Sequence, residues 1–354
     1  MALLRQNTAA PANRGGVRPS CISLPSNEAA GRFAFPCLWR RAFPTPMAAL
    51  RRDVPRGLVP TPMRVVGPPT GRKPAPPRWH HIISAYTLMD MNPYKIEPPF
   101  YVSFSGGRTS GYLLRHVLDA WGGTLPAGGH VLFANTGKEH DATYDFIETI
   151  GRQWCEVTWI EWSPSGYEIQ TPSTADRSGK PFADLIAKRN YLPNPITRFC
   201  TSDLKVKPMH RFMKAQGYDE FTTVIGLRAD ESRRVAKLRS DPTRDIAMPL
   251  ADAGVHRDQI IAWWKSQPFD LHLPNDDAAF GNCDLCFLKG ASRIERVIRA
   301  EPHRAAWWSE QERLVNARFR KDRPGYAQML TQITLQGELF QHLDDTTIPC
   351  DCTE

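Results

Sequence analysis

Two groups of residues in this 354-residue chain have the types and spacing that chemistry asks for: the turn Ser105-Gly106-Gly107-Arg108-Thr109-Ser110, and a set of cysteines that includes Cys283-Asp284-Leu285-Cys286. Glycines at 106 and 107 allow backbone conformations closed to residues with a Cβ, so that successive N–H groups can converge on a phosphate oxygen. A helix beginning near Thr109 adds its unpaired N–H groups and the positive end of its dipole. Arg108 offers a fixed cation. Of the eight cysteines, the pair at 283 and 286 has the separation at which two thiolates bind one metal ion or cluster. The bland alternative is a pair of ordinary thiols. Cys350 and Cys352 either complete a four-thiolate site or form a mobile redox pair, able to attack a sulfur centre where a nearby cation lowers the thiol pKa. Zinc and a [4Fe-4S] cluster both accept four thiolates, and the spacing does not choose between them. Cys155 reads as a buried small hydrophobe, and Cys21 and Cys37 fall in a tail.

The elements that must position these residues are legible from 98 onward. The β-rich run 100–104 ends in the Gly-Gly turn and is followed by Tyr112, Leu113, Leu114, Val117 and Leu118 at helical spacing. Further strands are expected at 130–134, 157–160, 221–226 and, shorter, 246–250. Helices are expected at 141–154 and 204–216, with 292–298, 302–319 and 326–342 beyond Cys286. The polar stretch 163–180 reads as a mobile loop near the carboxyl ends of the strands. Strands alternating with helices predict an α/β fold with a doubly wound parallel sheet over 98–290, followed by a helical C-terminal region over 291–354.

The first 88 residues read differently. They are rich in Pro, Arg, Ala and Gly without a sustained period, so a disordered extension is expected, either a transit peptide or a stretch ahead of a true start at Met89 or Met91. Residues 1–80 carry 13 Lys or Arg against Glu28 and Asp53, a charge of +11, which leaves about −3 for the rest of the chain. The basicity that would suggest nucleic acid therefore belongs to the tail. No run approaches the roughly 20 apolar residues of a membrane span, and a soluble cytoplasmic protein with reduced thiols is expected.

The glycine turn resembles the PP-loop, SGGxxS, of the adenine nucleotide α-hydrolases. Three more blocks follow in that superfamily's order: Asn135-Thr136-Gly137 with Glu139; Arg198-Phe199-Cys200-Thr201 followed by Lys205 and Lys207-Pro208; and Gly226-Leu227-Arg228-Ala229-Asp230-Glu231-Ser232-Arg233-Arg234. The second and third resemble the cysteine-and-lysine block and the anion-binding arginine block of the phosphoadenosine phosphosulfate (PAPS) and adenosine phosphosulfate reductases. Two departures stand out. Arg108 and Thr109 occupy the places of the Lys and the acid in the SGGKDS of adenylating ATP pyrophosphatases, and Pro349-Cys350-Asp351-Cys352 replaces the Glu-Cys-Gly-type nucleophile of the reductases.

The resemblance implies an adenine-nucleotide-binding enzyme of sulfur chemistry, an oxidoreductase or a transferase. Its phosphate-binding set would be Ser103, Ser105, Gly106, Gly107, Arg108, Thr109 and Ser110, joined by Asn135, Thr136, Gly137, Glu139, Glu231 and Arg234. Catalysis would fall to Cys350, Cys352, Lys205 and Arg228, and a [4Fe-4S] cluster, or zinc, to Cys200, Cys283, Cys286 and Cys350. Reduction of an adenylyl sulfate would use a thiol donor such as thioredoxin. The rival is ATP-dependent adenylation with Mg²⁺ and sulfur delivery to a nucleic acid or small molecule. A third possibility is a nucleotide-binding protein without turnover. Each residue also has a plainer reading. Arg228, Arg233 and Arg234 read equally as a basic turn paired with Asp230 and Glu231, and Lys205 as a helix-surface lysine. Trp263-Trp264 and Trp307-Trp308 read as core, and His210 and His303 as structural. A basic patch of Lys205, Lys207, His210, Arg211 and Lys214 is the one feature that would face RNA, and nucleic acid is not the favoured partner.

Overall fold

The computed structural model describes residues 92–336 except 242. The N-terminal extension, Cys350, Cys352 and the end of the helix expected at 326–342 lie outside the described residues. Six strands, β1 (Phe100–Ser103), β2 (Gly129–Asn135), β3 (Thr158–Ser163), β4 (Gly166–Gln170), β5 (Thr222–Val224) and β6 (Ile246–Ala247), form one sheet in the order β4-β3-β2-β1-β5-β6. All neighbours run parallel except β3 and β4. The chain winds outward from β1 to β4, then returns to the other side of β1, so the switch of direction lies between β1 and β5, where doubly wound sheets open a crevice for ligands.

Ten helices complete the α/β fold among the described residues: α1 (Arg108–Ala120), α2 (Asp141–Gln153), α3 (Lys180–Arg189), α4 (Lys207–Ala215), α5 (Ser232–Arg239), α6 (Pro249–Asp252), α7 (Arg257–Trp264), α8 (Ala291–Ala300), α9 (Ala305–Val315) and α10 (Tyr326–Gln336). The period of two along the strands divides the core. Phe100, Val102, Val131 and Phe133 pack into the large cluster with α1, α2 and α7, while Tyr101, Leu132, Ala134 and Ile160 meet Met209, Phe212 and Met213 of α4 on the opposite face. Ile294, Val297, Trp308 and Met329 of the C-terminal helices belong to the same large cluster as β1. Trp264 and Trp308 are fully buried, as expected of core residues.

Three expectations are corrected. The stretch 163–180 is not a mobile loop. Gly166, at φ +141°, turns the chain back into the edge strand β4, and the Asp176 carboxylate then accepts the N–H groups of Ser178, Gly179 and Lys180 at 2.8–3.0 Å, fixing the entry to α3. Its polarity reflects an edge strand rather than disorder. The helix expected at 204–216 is a π-helix (Cys200–Val206) running into α4. Pro208 lacks an N–H and its ring would strike the carbonyl of Leu204 in α geometry. The wider turn, in which Lys207 N–H bonds Ser202 O five residues back, accommodates it. The helix expected at 302–319 is a 3₁₀ turn (Pro302–Arg304) and α9, which stops where Asn316 takes a left-handed conformation.

Candidate functional site

The glycine turn is built as its sequence demands. Gly106 sits at φ +77°, and a Cβ there would lie 2.6 Å from Ile147 Cδ1 and 2.7 Å from Thr143 Cγ2. Gly107 caps α1. Ser110 ties the turn together: its Oγ donates to Gly107 O at 2.9 Å and accepts from Gly107 N at 3.2 Å and Ser105 Oγ at 3.1 Å. From below, the indole of Trp264 donates to Arg108 O at 2.8 Å, and its ring lies where a Cβ on Gly111 would be, 2.7 Å from Cζ2. Arg108 does not offer an unmatched cation. Its guanidinium binds both oxygens of Asp270 at 2.7 and 2.8 Å and reaches Asp276 at 2.6 Å, fastening the loop to the 270–276 segment.

The arginine block comes to this loop. Arg228 donates to Thr109 Oγ1 at 3.3 Å and to Asp230 at 3.0 Å, while Glu231 accepts the Arg228 N–H at 3.1 Å and pairs with Arg234. Arg233 is exposed. The arrangement joins the two readings made from sequence, a carboxylate-paired turn that also touches the loop.

Below the loop, on the α4 face of the sheet, lies a groove of about 450 Å³, within the range of small-molecule sites, roughly 300–1,000 Å³. Ser103, Ser105, Thr201 and Lys205 line its upper part, and Tyr101, His210, Phe221 and Arg244 line it further down. His210 was read from sequence as structural. The signal that would have found it is the series Thr201, Lys205, His210 and Lys214, whose intervals of four to five keep one face of a helix that is π and then α. Burial, with Arg244 and Lys214 nearby, pushes the His210 pKa down and so favours the neutral ring. Of the basic patch considered for RNA, Lys205, His210 and Lys214 turn into this groove, and Lys207 pairs with Asp203 at 2.6 Å.

A second cavity, of about 60 Å³, brings together Cys200, Cys283 and Cys286 with Thr136, Thr201 and Lys205. Thr201 and Lys205 line both cavities. The Asn135-Thr136-Gly137 segment forms the inner wall rather than the groove. Asn135 is buried, bonding Glu161 at 2.6 Å and Asp176 O at 2.7 Å through Nδ2. Glu139, 4% exposed, accepts from Thr136 Oγ1 at 2.9 Å and stands 3.9 Å from both Cys283 Sγ and Lys205 Nζ. Burial pushes the Glu161 carboxyl up, against the hydrogen bonds from Asp176 and Asn135. Among the described residues no group of three or more His, Cys, Asp or Glu side chains is arranged to hold a single metal ion. Cys155 is half-buried against the core, and burial pushes its thiol up to about 11, which suits an inert residue.

Buried carboxylates in ion pairs, Asp203 and Asp284, hold both cysteine segments. In the π-helix, Asp203 pairs with Lys207 and Arg189. Burial opposes its ionisation, but these partners and Ser202 outweigh that and keep its pKa below the ordinary range. A carboxylate with a depressed folded pKa contributes stability that is present above its unfolded pKa of about 3.9 and is lost as pH falls through the folded value. The stability gap between wild type and Asp203→Asn in urea unfolding is therefore expected to be about 1 kcal/mol at pH 6, since Lys207 and Arg189 are exposed and screened by solvent, and to shrink towards pH 3. A gap independent of pH would show that the charge is not its source.

A model of the phosphoadenosine phosphosulfate reductase domain matches residues 99–247. The uncharacterized nin region protein ORF290 of Escherichia phage lambda is 35% identical over 214 residues, which cover 56% of this chain and 69% of the phage protein. The chain thus belongs to the PAPS reductase-like family. Among solved structures, a PAPS reductase from Candida auris in complex with phosphate is 18% identical, with a TM-score of 0.32, covering 51% of this chain and 81% of its own. The U34-tRNA thiolase NcsA of Methanococcus maripaludis, solved with its [4Fe-4S] cluster, is 16% identical, with a TM-score of 0.31, covering 73% and 82%. No helix among the described residues is long and apolar enough to cross a membrane.

Proposed function

We propose that this chain is an enzyme that binds an adenine nucleotide with its phosphates on residues 105–110 and uses cysteine thiols for sulfur chemistry on it, with reduction of an adenylyl sulfate as the preferred reaction. The observation that carries the reading is the shared wall of the two cavities. Thr201 and Lys205 face both the nucleotide-sized groove below the phosphate loop and the chamber of Cys200, Cys283 and Cys286. A group attached to the nucleotide's phosphate thereby stands next to the cysteine chamber, with Lys205 beside it to offset charge that develops on the leaving oxygen.

In the reductive reaction a thiolate attacks the sulfate sulfur, the bond from sulfur to the phosphate oxygen breaks, and AMP or its 3′-phosphorylated form departs. An external dithiol of the thioredoxin class then displaces sulfite from the S-sulfonated cysteine and is itself oxidised to a disulfide. Cys350 or Cys352 is the nucleophile in this proposal. The donor set suits a cluster better than one ion. A [4Fe-4S] cube takes one thiolate on each iron, so its ligands surround a space instead of converging on a point. Cys200, Cys283 and Cys286 would hold it, with Cys350 as the fourth and Cys352 then left as the nucleophile, and such a cluster supplies electron transfer or an iron site for sulfur.

The test is anaerobic purification of the full chain and of a Cys283→Ser, Cys286→Ser variant, with iron and zinc analysis, followed by assays on two substrates. Cysteine-dependent iron, together with AMP and sulfite from adenylyl sulfate and a dithiol, is expected. Pyrophosphate released from ATP and Mg²⁺ would instead identify the adenylating route. Zinc alone would displace the cluster, and tight nucleotide binding with no turnover on either substrate would end the enzyme reading.

A further inference from the structure

The groove has two chemically different ends. At the top are the carboxyl end of β1 and the phosphate loop, represented by Ser103 and Ser105, with Lys205 alongside. Lower down, three aromatic rings meet: His210 lies edge to face with Phe221 at 5.2 Å and with Tyr101 at 6.1 Å, and Tyr101 lies tilted against Phe221 at 5.9 Å between centroids. Tyr101 is buried and forms the floor, whereas His210 and Phe221 are half-buried and line the opening. Residues 101 to 105 separate the corner from the loop by about 13 Å of extended chain at roughly 3.3 Å per residue, a distance that a ribose and its phosphates bridge. Burial and the nearby cations favour the neutral ring of His210, and its face is suited to stacking.

Resting on the nucleotide reading above, we infer that His210, with Tyr101 and Phe221, seats the nucleobase, and that His210 is the residue on α4 that makes this groove prefer nucleotides to bare phosphates. A molecule anionic at one end and flat and aromatic at the other matches both ends of the groove, and inorganic pyrophosphate matches only the top. Base-on-aromatic stacking removed by truncation to alanine corresponds to about a tenfold or greater loss of affinity.

Equilibrium binding of ATP and of inorganic pyrophosphate to the full chain, wild type, His210→Ala and His210→Phe, tests this. His210→Ala is expected to weaken ATP about tenfold or more and leave pyrophosphate unchanged, and His210→Phe, which keeps a ring, to retain most of the ATP affinity. A residue that merely supported the fold would weaken both ligands together. Wild-type ATP affinity in His210→Ala, or equal loss for both ligands, would overturn the assignment while leaving the nucleotide reading intact. Binding of pyrophosphate but not of any adenine nucleotide by the wild type would overturn both. Histidine ring resonances of the wild type provide a readout that needs no folded variant. The His210 signals are expected to shift on adding ATP and to stay in place with pyrophosphate, and the reverse pattern would sink the assignment.

Discussion

Gly106→Ala is expected to abolish useful nucleotide binding and to lower the melting temperature by about 10 °C, at roughly 2–4 °C per kcal/mol for a body of this size. Two effects add. The residue sits at φ +77°, where an L side chain costs about 1–2 kcal/mol. The new methyl would also stand 2.6–2.7 Å from Ile147 Cδ1 and Thr143 Cγ2, and overpacking of this kind costs about 1–3 kcal/mol. Ile147 is fully buried in the main core, so relief must come from the loop. Its N–H groups then leave the positions in which they can converge on a phosphate. Each charge-assisted bond lost is about 1.5–3 kcal/mol, or about ten- to a hundredfold in affinity. Calorimetric titration with ATP and a thermal melt check both parts. A variant that melts like wild type and binds ATP normally would show that the loop does not have this conformation in solution.

Asp284→Ala is expected to cost about 3–5 kcal/mol, as when one partner of a buried ion pair is removed. Asp284 is 1% exposed and lies between the two cysteines. One oxygen accepts from Trp308 Nε1 at 2.8 Å and from Leu285 N at 2.7 Å, and the other faces Lys138 Nζ at 3.2 Å and Arg304 at 3.7 Å. The truncation leaves Lys138, itself buried under the Trp307 ring, without its nearest counter-charge, and removes the acceptor that holds the Cys283–Cys286 turn to α9. Urea unfolding should rank wild type above Asp284→Asn, which keeps an acceptor, and Asp284→Asn above Asp284→Ala. The rate of alkylation of Cys283 and Cys286 should rise in the reverse order. Equal stability of the Asn and Ala variants would show that the charge alone matters, and unchanged alkylation would separate the network from the thiols.

How far the fold and site were legible depended on the range of the interactions involved. The strand–turn–helix around 100–118 and the core positions of Trp264 and Trp308 follow from local periodicity and hydrophobicity. The strand β4 was missed because an edge strand has exposed polar residues and no burial pattern to betray it. The π-turn at 200–206 was missed because helical spacing was carried straight through Pro208 over 204–216, whereas the proline, without an N–H, is accommodated here by a wider turn.

The sequence by itself determined the alternation of strand and helix, the glycine turn that shapes the phosphate loop, and the four blocks that mark the family. These rest on backbone freedom, side-chain period and residue order, all carried within short stretches of chain. Only the tertiary structure decided what faces what. It brought Cys200 to Cys283 and Cys286, matched Arg108 with Asp270 and Asp276, put Lys205 on a wall common to two cavities, and turned His210 into the groove. Each of these pairs residues distant in sequence or depends on the rotation of one helix, and a single π-turn resets that rotation for every residue after it.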